Sequence, residues 1–264
     1  MGRASGEQGR IHPTAIVGEG VTLGADVGIG PFSIVADGAV IGDGCEIASH
    51  VRIEGCVRLG RRNRIFQGAV LGSPPQDLKY RGEPSILDIG ADNMIREYAT
   101  LNPGTAAGEV TRVGSGCLLM AYSHVAHNCA IGDGVILANS VNLAGHVTVE
   151  DHAIVGGVTP VHQFVRIGAH AFVGGGSRVP QDVPPFLRGA GNPMEIAGLN
   201  LLGLQRRGFA PETLNSLRKA YRLLYRAGLN TTQALERMET ELSDCAEVRR
   251  LIDFVRSSAR GITK

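Results

Sequence analysis

A chain of 264 residues with a formal charge of +1 and 43% hydrophobic residues has the length of one large domain or one and a half. No run approaches the ~18 uninterrupted apolar residues of a membrane span, and the opening MGRASGEQGR lacks the apolar core of a signal peptide, so no stable membrane insertion is expected. A cytoplasmic protein follows, with residues 1–10 a disordered arm. Charge near zero makes no case for nucleic acid, and five Cys without a CxxC argue against a disulfide framework or zinc ribbon. The charge is uneven: residues 185–264 carry a net +5 and the remainder −4, so an acidic partner is sought at the basic end.

From Ile11 an aliphatic residue recurs every six positions: Val17, Leu23, Ile29 and onward to Leu71, then Ile89, Ile95 and Leu101, then Val113 without a break to Val179. All 26 positions are Ile, Leu or Val, types that make up only 65 of the 264 residues. The next residue is often Gly, which suits a turn of unusual φ or a close backbone approach. Two residues before most of these aliphatics sits a small or β-branched one, such as Ala39, Cys45, Val51, Cys117 or Cys129. In a strand those two positions point the same way, inward, so three of the five Cys read as core.

A six-residue unit buries nothing alone, so the units must stack into a solenoid. The repeat resembles the hexapeptide family of left-handed parallel β-helices, triangular prisms of 18 residues per coil, and that resemblance supplies the handedness. At ~4.8 Å per coil, about nine coils make a prism roughly 40 Å long. Loops interrupt it near 73–88 and 103–112. Sorted by the 18-residue period, Leu118, Ile136, Ile154 and Phe172 share one outward face, His124, Asn142, Pro160 and Arg178 a second, and Arg112, Ala130, Thr148 and Arg166 the third. Only the first is apolar throughout, which predicts self-association in preference to cover by the C-terminal segment.

The comb stops after Val179, and the fold expected for 11–185 gives way to a small helical domain over 190–264. Helical spacing appears in Leu214, Leu217, Tyr221 and Leu224, in Leu235, Met238 and Leu242, and in Val248, Leu251, Ile252 and Val255. Pro211 and Thr231 are suitable helix starts. The fold class is therefore mainly β, a parallel β-helix followed by a C-terminal α-helical domain.

Loops extruded from a rigid solenoid are favoured places for function, and the first carries Asp77 and Lys79. On the 18-residue clock, position 127 stacks with 145 and 163, so His127, Gly145/His146 and His162/Gln163 occupy successive coils of one corner, with His124 nearby. Such a column fits general-base chemistry on a hydroxyl attacking an acyl thioester, with the Gly145 N–H facing the oxyanion. A three-His zinc site would need the rings to converge, whereas they spread over three coils, so no metal is expected. A β-helical scaffold or ice-binding surface would show regular outward Thr rows, which the faces lack.

QDLKYRGEP, HVAHNC, LAGHVTV, PVHQF, QDVPPF and QRRGF together resemble the UDP-N-acetylglucosamine acyltransferase family that opens lipid A synthesis in Gram-negative bacteria, from IHPTAIV to the C-terminus. The resemblance implies a homotrimer with active sites between prisms. It also implies transfer of an (R)-3-hydroxyacyl chain from acyl carrier protein to the glucosamine 3-hydroxyl of UDP-N-acetylglucosamine. The acyl group arrives on the carrier's phosphopantetheine arm, with no other cofactor. Residue by residue it implies His127 as general base and Gly145 as oxyanion donor. Asp77, Lys79, His124, His146, His162 and Gln163 would contact the sugar nucleotide, with Asn200, Arg206 and Arg207 at its nucleotide end. Gly175 would set a long acyl chain. The basic strip of Arg218, Lys219, Arg222 and Arg226 suits docking of an acidic carrier protein. Where some members have Asp directly after the catalytic His, this chain has Asn128, and Leu202 replaces a frequent acidic residue. Relatives that acylate a 3-amino sugar, or use acetyl-CoA on the same prism, are the competing enzyme readings.

Overall fold

The computed structural model describes residues 10–264, so the expected N-terminal arm, but for its last residue, lies outside the described residues. Three sheets of eight, eight and ten strands, most strands only two residues long, form the faces of a left-handed parallel β-helix. Two residues cannot hold a strand on their own. Each is fixed by parallel pairing to the coils above and below, as Leu119 to Leu137 and Leu137 to Val155, an offset of 18. The offset widens to 30 between Leu71 and Leu101 and to 24 between Leu101 and Val125, where the two loops leave the coil.

Every comb aliphatic from Ile29 to Val179 is buried, and with the residue two before it fills the prism. Cys45, Cys117 and Cys129 lie in this core as free thiols, as their positions in the repeat predict. Each also donates to a turn carbonyl of the coil above: Gly60 at 3.0 Å, Gly132 at 3.1 Å and Ala144 at 3.2 Å. Burial pushes the Cys117 thiol up to about 11 and the Cys129 thiol up to about 12, so neither is a thiolate at neutral pH.

Of the two reasons for the recurrent glycines, close approach is the one that operates in the regular coils. A Cβ at Gly24, Gly114 or Gly132 would strike Asp43, Asp133 or Asp151 of the next coil. Those carboxylates accept from the N–H of Ala25, Ser115 and Asp133. The left-handed backbone falls two residues further on, and side chains occupy it: Tyr122, Asn128, Ser140, His146, His152, Val158, Phe164 and His170 all have φ near +60°. Glycine holds the same place in other coils, at Gly38, Gly44, Gly68, Gly116, Gly134 and Gly176, where the positive φ suits it.

The apolar face runs from Met94 through Leu118, Ile136 and Ile154 to Phe172 in register and stays partly exposed, 40% at Met94 and 38% at Phe172. Beyond it the sheet continues into an antiparallel hairpin, Leu187–Ala190 and Glu195–Leu199. Helical structure therefore begins at 201, not 190. The alternation of the hairpin is split by the Gly191–Asn192–Pro193 turn, too short on either side to register as a repeat. Four helices follow: α1 (Leu201–Arg206), α2 (Pro211–Tyr225), α3 (Thr231–Leu242) and α4 (Ala246–Arg256). Pro211 starts α2 as its missing N–H allows, and Asn230 caps α3 in a capping box with Gln233. No helix among the described residues is long and apolar enough to cross a membrane.

The helices are fastened to the prism by Arg166, whose guanidinium lies 4.3 Å over the Phe254 ring, and by Glu150, which pairs with Arg166 and Arg250. Asp182 accepts from Arg166 N and Ser258 Oγ, and its carbonyl accepts from Thr263 N. His170 stacks on Phe186 and meets the edge of Phe209 at 5.0 Å. Burial, reinforced by the charges of His152, Arg207 and Arg250, lowers its pKa from 6.5 to about 4. Between those values the unfolded chain takes up a proton the folded one refuses, so stability falls as pH drops from about 6.5 toward 4. Replacing His170 by Phe should remove this part of the acid-side loss, read as a smaller difference between denaturant midpoints at pH 7 and pH 5.

Candidate active site

Both interruptions of the comb open at one corner of the prism, after the strands ending at Leu71 and Leu101. The next three coils turn the same corner at His127, Gly145 and Gln163, as the 18-residue clock predicts. The two loops brace one another: Ser85 Oγ donates to the Gly104 carbonyl at 2.6 Å, Gly108 N to Pro84 O at 2.9 Å, and Asn102 Nδ2 to Ser73 O at 3.0 Å. They wall in the imidazole of His127, which is 7% exposed.

The His127 ring has two distinct edges. Its Nδ1–H donates to Asn128 Oδ1 at 2.9 Å, while Nε2 faces Asp77 Oδ2 at 3.9 Å. The His146 ring sits edge-on to it at 5.2 Å and is itself stacked on Phe164 at 4.7 Å. Burial, and then the charge of His127, lowers the His146 pKa. His124 lies on the strand entering the corner, its Nδ1 bonded to Thr100 Oγ1 at 2.7 Å, and burial lowers its pKa too. A Cβ at Gly145 would overlap the His127 imidazole, so only glycine leaves the ring where it is. Along this corner the N–H groups of His127, Gly145 and Gln163 find no acceptor among the described residues. The free N–H is therefore a property of the corner; what distinguishes Gly145 is the ring below it.

Asn128 is held from three sides. Its backbone N–H donates to Thr111 Oγ1 at 2.8 Å, its Oδ1 lies 3.1 Å from Thr105 Oγ1, and its Nδ2 donates to Glu109 Oε2 at 2.7 Å. Glu109 also accepts from the N–H of Ala106 at 2.9 Å and of Thr105 at 3.2 Å. The Thr105 hydroxyl, with one hydrogen to give, lies 3.1 Å from both Glu109 Oε2 and Asn128 Oδ1. The Asn128 hydrogen bond, followed by the Ala106 N–H and the Thr105 hydroxyl and N–H, holds the Glu109 carboxyl down at about 2, so it is ionised at any working pH. Glu109 was absent from the sequence-based site. The signal was present: 109 lies 18 residues before 127, and the pairing of Arg112 with Ala130 carries that offset into the structure.

The remaining expected residues spread out. Asp77 joins His127, its Oδ1 accepting from Lys79 N at 2.9 Å, whereas the Lys79 side chain is exposed beside a 95% exposed Leu78. His162 is exposed one coil above Gly145. Gly175 stacks over Gly157 on a different corner, where a Cβ would lie 3.2 Å from Gly157 O. Asn200 is occupied structurally, donating to His170 O at 2.9 Å and capping α1 through Gly203 N at 3.3 Å. With Arg206, Arg218, Leu202, Ile154 and Phe172 it lines a cavity of about 650 Å³ on the apolar face, and Arg207 beside it is exposed. Lys219, Arg222 and Arg226 line a separate groove with Tyr221 and Glu241.

A family model described as UDP-N-acetylglucosamine O-acyltransferase domain 2 matches residues 182–263, and one for bacterial transferase hexapeptide repeats matches 20–55 and 111–145. The acyl-(acyl-carrier-protein)–UDP-N-acetylglucosamine O-acyltransferase of Thermodesulfovibrio yellowstonii is 45% identical over 96% of this chain and 99% of its own. The chain belongs to the UDP-N-acetylglucosamine O-acyltransferase family. It is accordingly an acyltransferase, and the same-named protein of Syntrophobacter fumaroxidans is 44% identical over 97% of this chain and 100% of its own. Among solved structures of the family, LpxA from Acinetobacter baumannii superposes with a TM-score of 0.94 at 41% identity, covering 97% of this chain and all of the other. The Moraxella catarrhalis enzyme gives 0.93 at 40% identity, with 97% and 100% covered. The packing of Gly145 on His127 generates a prediction for this acyltransferase: Gly145→Ala should displace the ring and cut turnover on the order of a hundredfold, with an unchanged circular dichroism spectrum.

Proposed function

We propose that this chain transfers an (R)-3-hydroxyacyl group from acyl carrier protein to the 3-hydroxyl of UDP-N-acetylglucosamine, the first step of lipid A synthesis, with His127 as the general base. The observation that carries the reading is the two-edged imidazole: Nδ1–H committed to Asn128, Nε2 uncommitted beside Asp77 at a corner walled by both loops. The acceptor hydroxyl gives its proton to Nε2 as its oxygen bonds to the thioester carbonyl carbon. The carbonyl oxygen takes up the negative charge opposite the Gly145 N–H. Collapse of the tetrahedral intermediate breaks the C–S bond, and the proton on His127 passes to the departing phosphopantetheine thiolate. No further cofactor enters the balance.

Asp77, with Lys79, would orient the sugar hydroxyls, and His124, His146, His162 and Gln163 would line the path above and below. The cavity lined by Asn200 and Arg206, with Arg207 outside its lining but adjacent in sequence, would receive the nucleotide, where a guanidinium fork suits phosphate. These groups and Gly175 lie on different faces and corners of one prism, so a complete site needs prisms packed side by side. That geometry, with the exposed apolar face, supports the homotrimer. Arg218, Lys219, Arg222 and Arg226 would meet the acidic carrier protein, and a cytoplasmic location follows from its role as donor.

Two experiments test this. His127→Ala should lose acyl transfer by on the order of a thousandfold while size and melting temperature stay unchanged; retained turnover would remove His127 as base. Mass spectrometry of product from UDP-N-acetylglucosamine and carrier-bound acyl groups of graded length should show a long-chain preference that Gly175→Met shortens. Turnover confined to a 3-amino sugar nucleotide, or to acetyl-CoA as donor, would overturn the substrate assignment.

A further inference from the structure

We infer that Glu109 is a positioning residue that acts through the Asn128 amide to fix which nitrogen of His127 carries the proton. The inference deepens the proposed function and rests on His127 as its base. An asparagine next to a catalytic imidazole has two faces, an oxygen that accepts and an NH2 that donates. If the NH2 faced His127, Nδ1 would have to be the acceptor, the proton would sit on Nε2, and that nitrogen could take nothing from a hydroxyl. An aspartate at 128 would exclude that arrangement because it has no hydrogen to offer. Asn128 does not.

Glu109 does. Its carboxylate accepts only, so the face of Asn128 turned toward Oε2, 2.7 Å away, must be the NH2. The oxygen then points the other way, to the Nδ1–H of His127 at 2.9 Å. The chain of groups is carboxylate, amide, imidazole, and it leaves Nε2 with its lone pair free. When Nε2 gains a proton, the new positive charge lies one amide away from a fixed negative one. The charge an aspartate would place in direct contact is thus supplied from the coil beneath.

The other charged and titratable neighbours do not duplicate this. Asp77, from the first loop, faces Nε2 at 3.9 Å and not Nδ1. His146 meets the ring edge-on from the coil above, and His124, on the entering strand, is bonded to Thr100. Lys79 is directed to solvent. Glu109 does brace its own loop through Ala106 N, Thr105 N and the Thr105 hydroxyl, so a purely structural role is the alternative to separate.

The experiment compares the full-length wild type with Glu109→Gln, Asn128→Asp and the Glu109→Gln/Asn128→Asp pair. Turnover is measured against pH, and the His127 ring is observed by nitrogen-15 NMR. Glu109→Gln lets Asn128 turn either way. Its kcat should fall on the order of tenfold to a hundredfold with little change in KM, and the acid limb of its kcat/KM profile should move to lower pH. In the ring spectrum the proton should be shared between both nitrogens and the titration should drop. The double variant should recover to within about threefold of wild type, because a carboxylate again faces Nδ1 although the loop brace is still missing. A loop brace alone predicts no recovery in the pair and an unmoved His127 titration, and that outcome overturns the inference. Failure of the underlying reading looks different: the ring titration follows Glu109 as described, while every variant, His127→Ala included, keeps wild-type turnover.

Discussion

Each coil of the prism is tied to the next by parallel backbone hydrogen bonds, at an offset of 18 residues in the regular coils, and the approach is so close that a single methyl at Gly24, Gly114 or Gly132 would strike the neighbouring coil. This constraint fixes both coordinates of any residue: its height along the axis and its place around the triangle. Inward positions are small or aliphatic, save where a buried amide such as Asn63 or Asn93 bonds a turn carbonyl of the next coil, and outward ones are free. Chemistry can therefore enter only at corners and at loops. His127, with Glu109 one coil below, Gly145 one coil above and Asp77 from the extruded loop, uses both.

The fold was largely legible in the amino-acid order because the same constraint writes itself there. A buried aliphatic every six residues needs no alignment to be seen, and Pro211 and Thr231 mark helix starts by their own chemistry. The hairpin over 187–199 escaped because its strands are short and joined through Asn192–Pro193, leaving neither a sixfold nor a helical period. The recurrent glycine was readable as special but not as to why. Whether a glycine relieves φ or makes room is a question about the neighbouring coil, and the answer came from Asp43, Asp133 and Asp151.

The site was legible by column and not by network. His127, Gly145 and Gln163 stack because arithmetic places them so, and Asp77 meets His127 because its loop springs from the same corner. Glu109 obeys the same arithmetic yet was passed over, since a lone glutamate in a polar loop carries no motif. Only its contact with Asn128 gives it meaning. Asn200 fell the other way: chosen for a ligand, it spends both ends of its amide on His170 and Gly203, so any contact it makes there competes with its cap on α1.

The clasp at Asp182 has a consequence for how the chain assembles. Most contacts in the prism join residues 18 to 30 apart, so coils can add one at a time along the growing chain. Asp182 instead waits for Ser258, 76 residues further on, and for Thr263. Topology thus separates two events in time: a prism that can zip from either end of its register, carrying the His127 corner in its middle, and a closing step in which the helices dock and the segment holding Ser258 and Thr263 covers the final coil.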